Sequence, residues 1–580
     1  MINIQTIRKL RIGGTQDTVV SLVAASSVFM TNPVFQMAPL LQVFAPLIGG
    51  TIAGAYYWAR MLEVVNFQQY FSSGLKIKSS KPIKNNEDDF VLGYSVDTGK
   101  KITLPIDDAS RHIFVGGMSG VGKTVFGSML IQQQLSRGGG LVLMDGKLDS
   151  KTLHELYLIA VWCGREKDLL VINPGDSENS NTYNPILYGD PDEVADRIVS
   201  LIPASETQAG ADHYRQTAKQ GITVLVRSLQ KTGLGYTFMD LVLLLTTPRY
   251  LIALEYALPP SKEKTDLQIF LEQYKFPDKT GKKVINIERL KLMFGGITSR
   301  LYSFGTGSFG DVMNTTSPEV NLYEGMLQGK IIYIMMPTMG KPETASSFGK
   351  MVLGDARTAF SWLQKLPEEQ KPKIPILYMM DELGSYSTSA LARPFEQNRS
   401  ARVILVPMVQ TVANLEAVST EFSQMVIGNT WTKVFFKPGT TETAEVFAKS
   451  LGYENTSEAS LAASSGSGTS TRTASTNPVG GNSVNANSSI TENQTETYKV
   501  SPDEIKELDK GEAIVSIAGS NIFHIKIPQY KFTQEFINEH PVTVINRIKK
   551  PHKPGINLLR RATKSLEAEA KATRETGVSE

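Results

Sequence analysis

The chain has 580 residues, of which 41% are hydrophobic and 20% are charged. One hydrophobic core does not grow beyond about 250–300 residues, so this length predicts several domains, while the composition excludes a wholly disordered, collagen-like or polytopic membrane chain. Sixty Lys and Arg against 57 Asp and Glu give a net charge of +3, which does not indicate a nucleic-acid-binding protein, and the single cysteine, Cys163, excludes an internal disulfide and favours a reducing compartment.

The N-terminal part contains a long stretch without charge, from Val19 to Ala59. A helix needs about 20 apolar residues to cross a bilayer, so the stretch is long enough for two. A turn at 31–33 or 37–39, with basic residues on both flanks, predicts a transmembrane hairpin over residues 18–60 with both termini in the cytoplasm. The alternatives are a cleaved signal peptide, whose apolar region is shorter, and a buried helical pair in a soluble domain.

A phosphate-binding loop follows the next predicted strand. Ile113–Gly116 is apolar, residues 117–124 form a complete G-x-x-x-x-G-K-[ST] loop, and Val125–Leu135 has helical periodicity. Backbone N–H groups of such a loop surround phosphate oxygens, and the helix N-terminus favours negative charge. The pattern predicts an ATP site in which Lys123 reaches the β- and γ-phosphates and the Thr124 hydroxyl binds Mg²⁺. The remaining loop residues predicted to bind the phosphates are Gly117, Met118, Ser119, Gly120, Val121 and Gly122. A glycine turn without a ligand is the alternative.

A second acidic site is predicted where the apolar run Ile376–Met380 ends in Asp381 and Glu382. An aspartate there can hold Mg²⁺, and the adjacent glutamate can orient and deprotonate the attacking water. Asp381 is therefore the predicted metal ligand, together with Thr124, and Glu382 is the predicted general base. Strand ends are commonly polar, so the Asp381-Glu382 pair alone is weak evidence for a metal site. Its combination with the phosphate-binding loop makes the prediction strong.

Two candidate residues flank the strand predicted at Val403–Val406. Gln410, just past its end, can contact the γ-phosphate and report hydrolysis to neighbouring loops. Arg399, just before it, is a candidate for stabilising transition-state charge in the site of a neighbouring subunit. Arg402 competes for that role, and either arginine could be an ordinary surface residue.

Further apolar runs at 141–144, 169–172 and 331–335 alternate with helical stretches and end in polar residues. This alternation predicts a mostly parallel sheet covered on both faces, with ligands beyond the carboxyl ends of its strands.

Three further segments lie outside this pattern. In residues 205–309 the apolar residues are spaced as in packed helices. Residues 455–497 are dominated by Ser, Thr, Asn and Gly, too few apolar residues to offset the entropy of ordering, so we expect a mobile insert. From Arg547 the tail is basic, which suits a solvated helix or contact with nucleic acid or anionic lipid.

These motifs together resemble the type IV secretion coupling proteins, the membrane-anchored ATPases of bacterial conjugation and effector export. The likeness covers about Asp89 to Lys531 and the N-terminal hairpin. It is carried by Arg111-His112, Asp145-x-Lys147, Asn184-Pro185-Ile186, Asp381-Glu382, Gln410 and Leu508-x-x-Gly511-Glu512-Ala513. Gly164-Arg165-Glu166 and the strand after it are most similar to the branch from I-type plasmids and Dot/Icm systems. The sequence departs from the family at Gly146, where many relatives have proline, and in the serine-rich insert.

The resemblance implies an α/β fold with a RecA-like P-loop ATPase core, an inserted all-α domain and the N-terminal transmembrane hairpin. It implies that Lys123 and Thr124 are the Walker A pair and that Asp381 and Glu382 are the Walker B pair. Gln410 would be the sensor glutamine and Arg399 the finger arginine. Family members place the all-α domain at the entrance of a hexamer's channel.

We therefore expect an ATPase that recruits single-stranded DNA with its relaxase, or a protein substrate, to a secretion channel. Channel components, adaptor proteins, the membrane and further copies of the chain in a hexamer are the expected partners, at the bacterial inner membrane with most of the chain in the cytoplasm. The expected segments are 1–17 N-terminus, 18–60 hairpin, 61–204 first part of the nucleotide-binding domain, 205–318 all-α domain, 319–454 second part of the nucleotide-binding domain, 455–497 flexible insert, 498–545 end of the nucleotide-binding domain and 546–580 basic tail. A receptor platform with nucleotide as an assembly switch, or a chromosome-segregation translocase, are the alternatives.

Overall fold

The computed structural model describes residues 75–77, 89–202, 211–277, 281, 283–466, 485–519, 521–542, 546–547 and 554–558. The transmembrane hairpin predicted at residues 18–60 lies outside these ranges, as does most of the basic tail. Within the ranges, none of the helices combines the length and apolar character needed to cross a bilayer.

Strands occur from end to end of the described chain and are numbered in chain order. They are β1 (Leu75–Ile77), β2 (Phe90–Ser95), β3 (Lys101–Leu104), β4 (Ile113–Gly116), β5 (Leu141–Asp145), β6 (Leu169–Ile172), β7 (Lys275–Pro277), β8 (Lys283–Ile285), β9 (Ile331–Met335), β10 (Ile376–Met380), β11 (Val403–Val409), β12 (Thr432–Phe435), β13 (Tyr453–Gly466), β14 (Asn485–Tyr498), β15 (Glu512–Ile517), β16 (Asn521–Lys526) and β17 (Tyr530–Phe532).

The helices connect and cover these strands. They are α1 (Ile106–Ala109), α2 (Lys123–Ser136), α3 (Ser150–Trp162), α4 (Pro191–Val199), α5 (Ala211–Lys231), α6 (Phe238–Thr246), α7 (Pro248–Ala257), α8 (Lys262–Glu272), α9 (Ile287–Gly305), α10 (Gly307–Met313), α11 (Leu322–Leu327), α12 (Pro342–Lys365), α13 (Ala392–Gln397), α14 (Ala413–Glu416), α15 (Thr420–Gly428), α16 (Thr441–Leu451), α17 (Pro502–Lys506) and α18 (Gln534–Glu539).

A large mixed sheet organises the described part of the chain. Its eleven strands have the order β3-β2-β16-β15-β12-β4-β11-β10-β5-β9-β6. The strands from β12 to β6 are parallel, while β15, β16, β2 and β3 extend the sheet in antiparallel pairs. The predicted α/β fold is thus confirmed. Because β4, β11 and β10 are adjacent and parallel, the residues that follow them meet at one edge.

Helices cover both faces of this sheet, so its central strands are apolar throughout. All residues of β4, β5, β6, β9, β10 and β11 are buried. Successive side chains of a strand point to opposite faces, and accordingly Phe114 packs into one core while Ile113 and Val115 pack into the other. Such a strand has no polar face, which explains the continuous apolar runs of the sequence.

The helices α5 to α10, called the helical layer below, lie between β6 and β9 in the chain, and their buried residues join the core on one face of the sheet. Phe270 and Phe294 pack with their ring centroids 6.2 Å apart, and Gly221 lies against the Phe294 ring without room for a Cβ. A two-stranded hairpin, β7 with β8, is also present. The expectation of a purely α-helical segment is therefore corrected in this detail.

The serine-rich region contains two long strands that were not predicted. β13 and β14 pair antiparallel over their whole lengths, from Tyr453 opposite Tyr498 to Gly466 opposite Asn485. Residues 455–466 and 485–497 thus form a hairpin within the segment predicted to be a mobile insert. The prediction considered only the burial of side chains, whereas two strands can satisfy their backbone N–H and C=O groups with each other. Threonine, frequent here, also favours strands.

The start of the C-terminal region packs on the rest of the chain. The Asn546 side chain donates to the Leu169 carbonyl (2.8 Å), and the Ile556 N–H donates to the Gly235 carbonyl (2.9 Å). Ile556 and Leu558 are buried in the main core. The region therefore contacts both the sheet and the helical layer.

Candidate nucleotide-binding site

The predicted phosphate-binding loop connects β4 to α2. Gly117, Gly120 and Gly122 have φ angles of 149°, 80° and 124°, a region of backbone space that favours glycine. The helix begins at Lys123, so the unpaired N–H groups of its first turn are at the loop, where they can bind an anion. Thr124 is exposed on that first turn.

Neighbouring strands fix the conformation of the loop. The N–H of Gly117 donates to the carbonyl of Val409 at the end of β11 (3.2 Å), and the N–H of Met118 donates to that of Lys437 beyond β12 (2.9 Å). A Cβ on Gly117 would lie 2.6 Å from the Cβ of Phe436. Only glycine therefore fits this position.

The late Gly511-Glu512 motif lies against the same loop. The N–H of Gly511 donates to the carbonyl of Val121 (2.8 Å). Glu512 accepts hydrogen bonds from His524 and Lys526, both at 3.1 Å. Burial opposes ionisation of Glu512, but these two partners lower the pKa of its carboxyl to about 2. The motif thus supports the loop and carries a carboxylate that is ionised at neutral pH.

The Lys123 ammonium lies inside its own loop. Its Nζ donates to the carbonyls of Gly117 and Met118, the latter at 2.9 Å. Burial lowers the pKa of Lys123 to about 8, although the Asp381 and Glu382 carboxylates oppose this shift. The cation is therefore close to the predicted acidic pair.

Asp381 follows β10 at the same edge of the sheet. Its N–H donates to the Met144 carbonyl (2.9 Å), and its own carbonyl accepts a hydrogen bond from the Tyr386 hydroxyl (2.7 Å). Burial raises the pKa of Asp381, while the ammonium groups of Lys147 and Lys123 oppose that shift. Asp381 is thus a half-buried carboxyl group whose charged form two nearby cations stabilise.

Glu382 lies in contact with Gln410. The Gln410 Nε2 donates to Glu382 Oε1 at 2.6 Å, and the Lys147 Nζ lies 2.6 Å from the same oxygen. Glu382 has a φ of 54°, a left-handed conformation that is uncommon outside glycine and concentrates at functional sites. The structure therefore brings together Lys123, Asp381, Glu382 and Gln410.

Asp145 and Lys147 also belong to this cluster, although no role was predicted for either residue. Asp145 Oδ1 accepts the N–H of Lys147 (2.9 Å), and its Oδ2 accepts the Tyr333 hydroxyl (2.8 Å). Burial and the neighbouring Asp381 raise the pKa of Asp145 to about 6. The signal in the sequence was the polar run Asp145-Gly146-Lys147 at the end of a predicted strand. Because β5 is the direct neighbour of β10, this run lies beside Asp381 and Glu382.

Arg399 lies away from this cluster. It is exposed at the amino end of β11, whereas Gln410 follows the carboxyl end. Seven strand residues at about 3.3 Å each separate them by roughly 23 Å, so Arg399 does not reach the loop of its own chain. Arg402 is bound to Glu368, with Nη2 2.6 Å from Oε1.

Comparison with known proteins identifies relatives of this chain. A family model described as the type IV secretion-system coupling protein DNA-binding domain matches residues 332–528. The chain is also 24% identical over 405 residues to the type 4 coupling protein DotL of Legionella pneumophila, covering 61% of this chain and 51% of DotL. The resemblance to type IV coupling proteins is confirmed. The chain spans about half the length of this curated relative.

Solved structures similar to this chain include another coupling protein. The plasmid coupling protein TrwB in complex with ADP and Mg²⁺ has a TM-score of 0.49 and 17% identity, covering 81% of this chain and 92% of TrwB. TrwB with a non-hydrolysable ATP analogue has a TM-score of 0.49 and 16% identity, covering 82% and 93%. VirB4 of Thermoanaerobacter pseudethanolicus has a TM-score of 0.44 and 13% identity, covering 80% and 99%.

The donor set of this site fits magnesium. Mg²⁺ usually keeps several waters and takes one or two carboxylates plus substrate phosphates rather than a full set of protein ligands. Asp381 offers a half-buried carboxylate and Thr124 an exposed hydroxyl. In the part of the chain that the structure describes, three or more His, Cys, Asp or Glu side chains do not gather into a metal site. The residues suit an ion held jointly by protein and nucleotide.

Proposed function

We propose that this protein is a membrane-anchored ATPase of a type IV secretion or conjugation system that recruits substrate and translocates it to the secretion channel. The 2.6 Å contact between Gln410 and Glu382 is the observation that carries the proposal, because Glu382 would act as the base and Gln410 as the sensor of a bound γ-phosphate. The match to the coupling-protein family over residues 332–528 supplies the cellular context.

The substrate we propose is single-stranded DNA with its attached relaxase, or a protein. Channel components and adaptor proteins would be the partners, and the location would be the bacterial inner membrane with most of the chain in the cytoplasm. Residues 18–60 would form the anchor. The helical layer would lie at the entrance of the channel of a hexamer.

ATP with Mg²⁺ would bind at the loop. Loop N–H groups from Gly117 to Gly122 would hold the phosphates, and Lys123 would exchange its loop carbonyls for the β- and γ-phosphates. Thr124 and Asp381 would hold the Mg²⁺, which when bound neutralises charge on the phosphate oxygens. Glu382 would orient the attacking water and accept its proton, and Gln410 would fix Glu382 and contact the γ-phosphate.

A ring would complete this site. Because Arg399 is exposed at the opposite edge of the sheet from the loop, it could serve only the site of a neighbouring subunit. An arginine supplied in this way stabilises the charge of the transferring phosphoryl group. Turnover would then depend on assembly of the hexamer.

Steady-state ATP hydrolysis by the full-length protein, with and without single-stranded DNA, tests this function. Lys123→Ala should lower turnover by about 10²-fold or more and abolish transfer, while membrane localisation is unchanged. Lys151→Ala, on the exposed surface of α3, is the matched control and should behave as wild type. Retained transfer in Lys123→Ala would contradict a motor. Negligible wild-type turnover with tight adaptor binding would instead favour the receptor platform.

A further inference from the structure

The two oxygens of the Glu382 carboxylate have different surroundings. Oε1 contacts both the Lys147 ammonium and the Gln410 amide, each at 2.6 Å. Among the described residues, none donates a hydrogen bond to Oε2. One oxygen is therefore held by two donors, while the other keeps its lone pairs for a water molecule.

The backbone of Lys147 is held firmly in place. Its N–H is bound by the buried Asp145 carboxyl (2.9 Å), which also accepts the Tyr333 hydroxyl (2.8 Å). The preceding carbonyl, of Gly146, accepts a hydrogen bond from the Thr338 hydroxyl. The Lys147 side chain is nevertheless 46% exposed, so burial alone does not force it toward Glu382.

Electrostatics favours the observed direction of the side chain. Burial would lower the pKa of Lys147, but the hydrogen bond to Glu382 and the charges of Asp381 and Asp145 raise it. The ammonium thus faces three carboxyl groups from two neighbouring strand ends. Lys123 is the opposing cation in the same cluster.

We propose that Lys147 is a positioning residue for ATP hydrolysis, holding Oε1 of Glu382 so that Oε2 meets the attacking water. The role rests on the proposed function. In the step it serves, the water proton passes to Oε2 of Glu382, the water oxygen bonds to the γ-phosphorus, and the bond to the bridging oxygen breaks with its electron pair leaving on ADP. Lys147 takes no part in these bonds and acts through the orientation of Glu382.

The first test separates turnover from nucleotide binding in the full-length protein. Lys147→Met should lower kcat by about 10–100-fold while KM and the Kd for a fluorescent ATP analogue change by less than about twofold, since a misplaced base slows chemistry without touching the nucleotide. Lys147→Arg keeps a cation with several donors and should recover part of the loss. Lys151→Met, four residues along the chain, should match wild type. Unchanged kcat in Lys147→Met, an equal loss of ATP affinity, or no difference between the Met and Arg variants would overturn the role.

A double-mutant cycle tests whether Lys147 acts through Glu382. Glu382→Gln should abolish most turnover, and adding Lys147→Met to it should cause no further loss of kcat, because the residue being positioned is already inactive. A further tenfold loss in the double variant would show a separate contact with the nucleotide and overturn the proposal. A wild-type protein without ATP turnover would overturn the proposed function, and this role with it. If the wild type turns over ATP but the losses of kcat in the two single variants add in the double variant, only the role of Lys147 is overturned.

Discussion

A buried ion pair joins α4 to α12, and we predict that Arg197→Met breaks it at a large cost. Arg197 Nη1 lies 3.0 Å from Asp355 Oδ1, and the Arg197 side chain is 0% exposed. The other carboxylate oxygen accepts the Tyr183 hydroxyl at 2.6 Å. Arg197 also donates to the Thr358 hydroxyl (2.9 Å) and to the Pro185 carbonyl. Methionine fills a similar volume but satisfies none of these groups.

The expected loss follows from the carboxyl that stays behind. Removing one partner of a buried pair costs about 3–5 kcal/mol, because the remaining charge has neither water nor a counter-ion. Burial already raises the pKa of Asp355 and Arg197 opposes that shift, so the variant raises the pKa further. The folded variant then holds a proton that the unfolded chain, with a pKa near ~3.9, has released. Its stability therefore falls as pH rises above about 4, by up to about 1.4 kcal/mol per pH unit until the raised pKa is reached.

Urea unfolding followed by far-UV circular dichroism, at several pH values between 5 and 8, measures this effect. Arg227→Met is the matched control, since Arg227 is 35% exposed and lies 3.6 Å from Asp192 and 3.5 Å from Asp266. A partly exposed pair of that kind contributes about 0–1 kcal/mol. The reasoning is refuted if Arg197→Met loses no more stability than Arg227→Met, or if its deficit is the same at every pH.

Two further substitutions test the loop and the C-terminal region. Gly117→Val places a side chain at a φ of 149° and against Phe436, so ATP affinity should fall by at least about tenfold. The control Gly295→Ala, in α9 with open space around it, should leave ATP affinity unchanged. Normal nucleotide titrations of both variants would contradict the geometry. Leu558→Asp puts a carboxylate into the main core and should expose residues 554–558 to limited proteolysis, while Asn557→Asp, on the exposed side, should not. Equal cleavage patterns by mass spectrometry would contradict the docking.

Individual strands were predictable because their signal is local. Ile113–Gly116, Leu169–Ile172, Ile331–Met335 and Ile376–Met380 have the predicted bounds, since each is a continuous apolar run of four or five residues. The antiparallel part of the sheet was less accessible. β2 and β3 expose some of their residues and lie far in sequence from β16, so their pairing depends on tertiary contacts that spacing does not encode.

The candidate site likewise has one part that local sequence predicts and one part that depends on tertiary structure. The loop with Lys123 and Thr124 is one continuous motif, so its geometry could be anticipated from the strand, loop and helix pattern of Ile113–Leu135 alone. The proximity of Glu382 to Gln410 followed from two strand ends being expected at one edge. Its contact with Lys147 required the order of the strands, which the sequence does not state.

Strand order also separates two properties of the site. The predicted phosphate site belongs to the loop, which connects β4 to α2 and is held by the ends of β11 and β12. Glu382 can meet Gln410 only where β10 lies beside β11, and it can meet Lys147 only where β10 lies beside β5. The proposed hydrolysis therefore depends on the strand order β11-β10-β5, whereas the loop that would bind the nucleotide is held by β4, α2 and the ends of β11 and β12. A substitution that loosens β5 without unfolding the chain should, for this reason, reduce kcat before it reduces affinity for ATP.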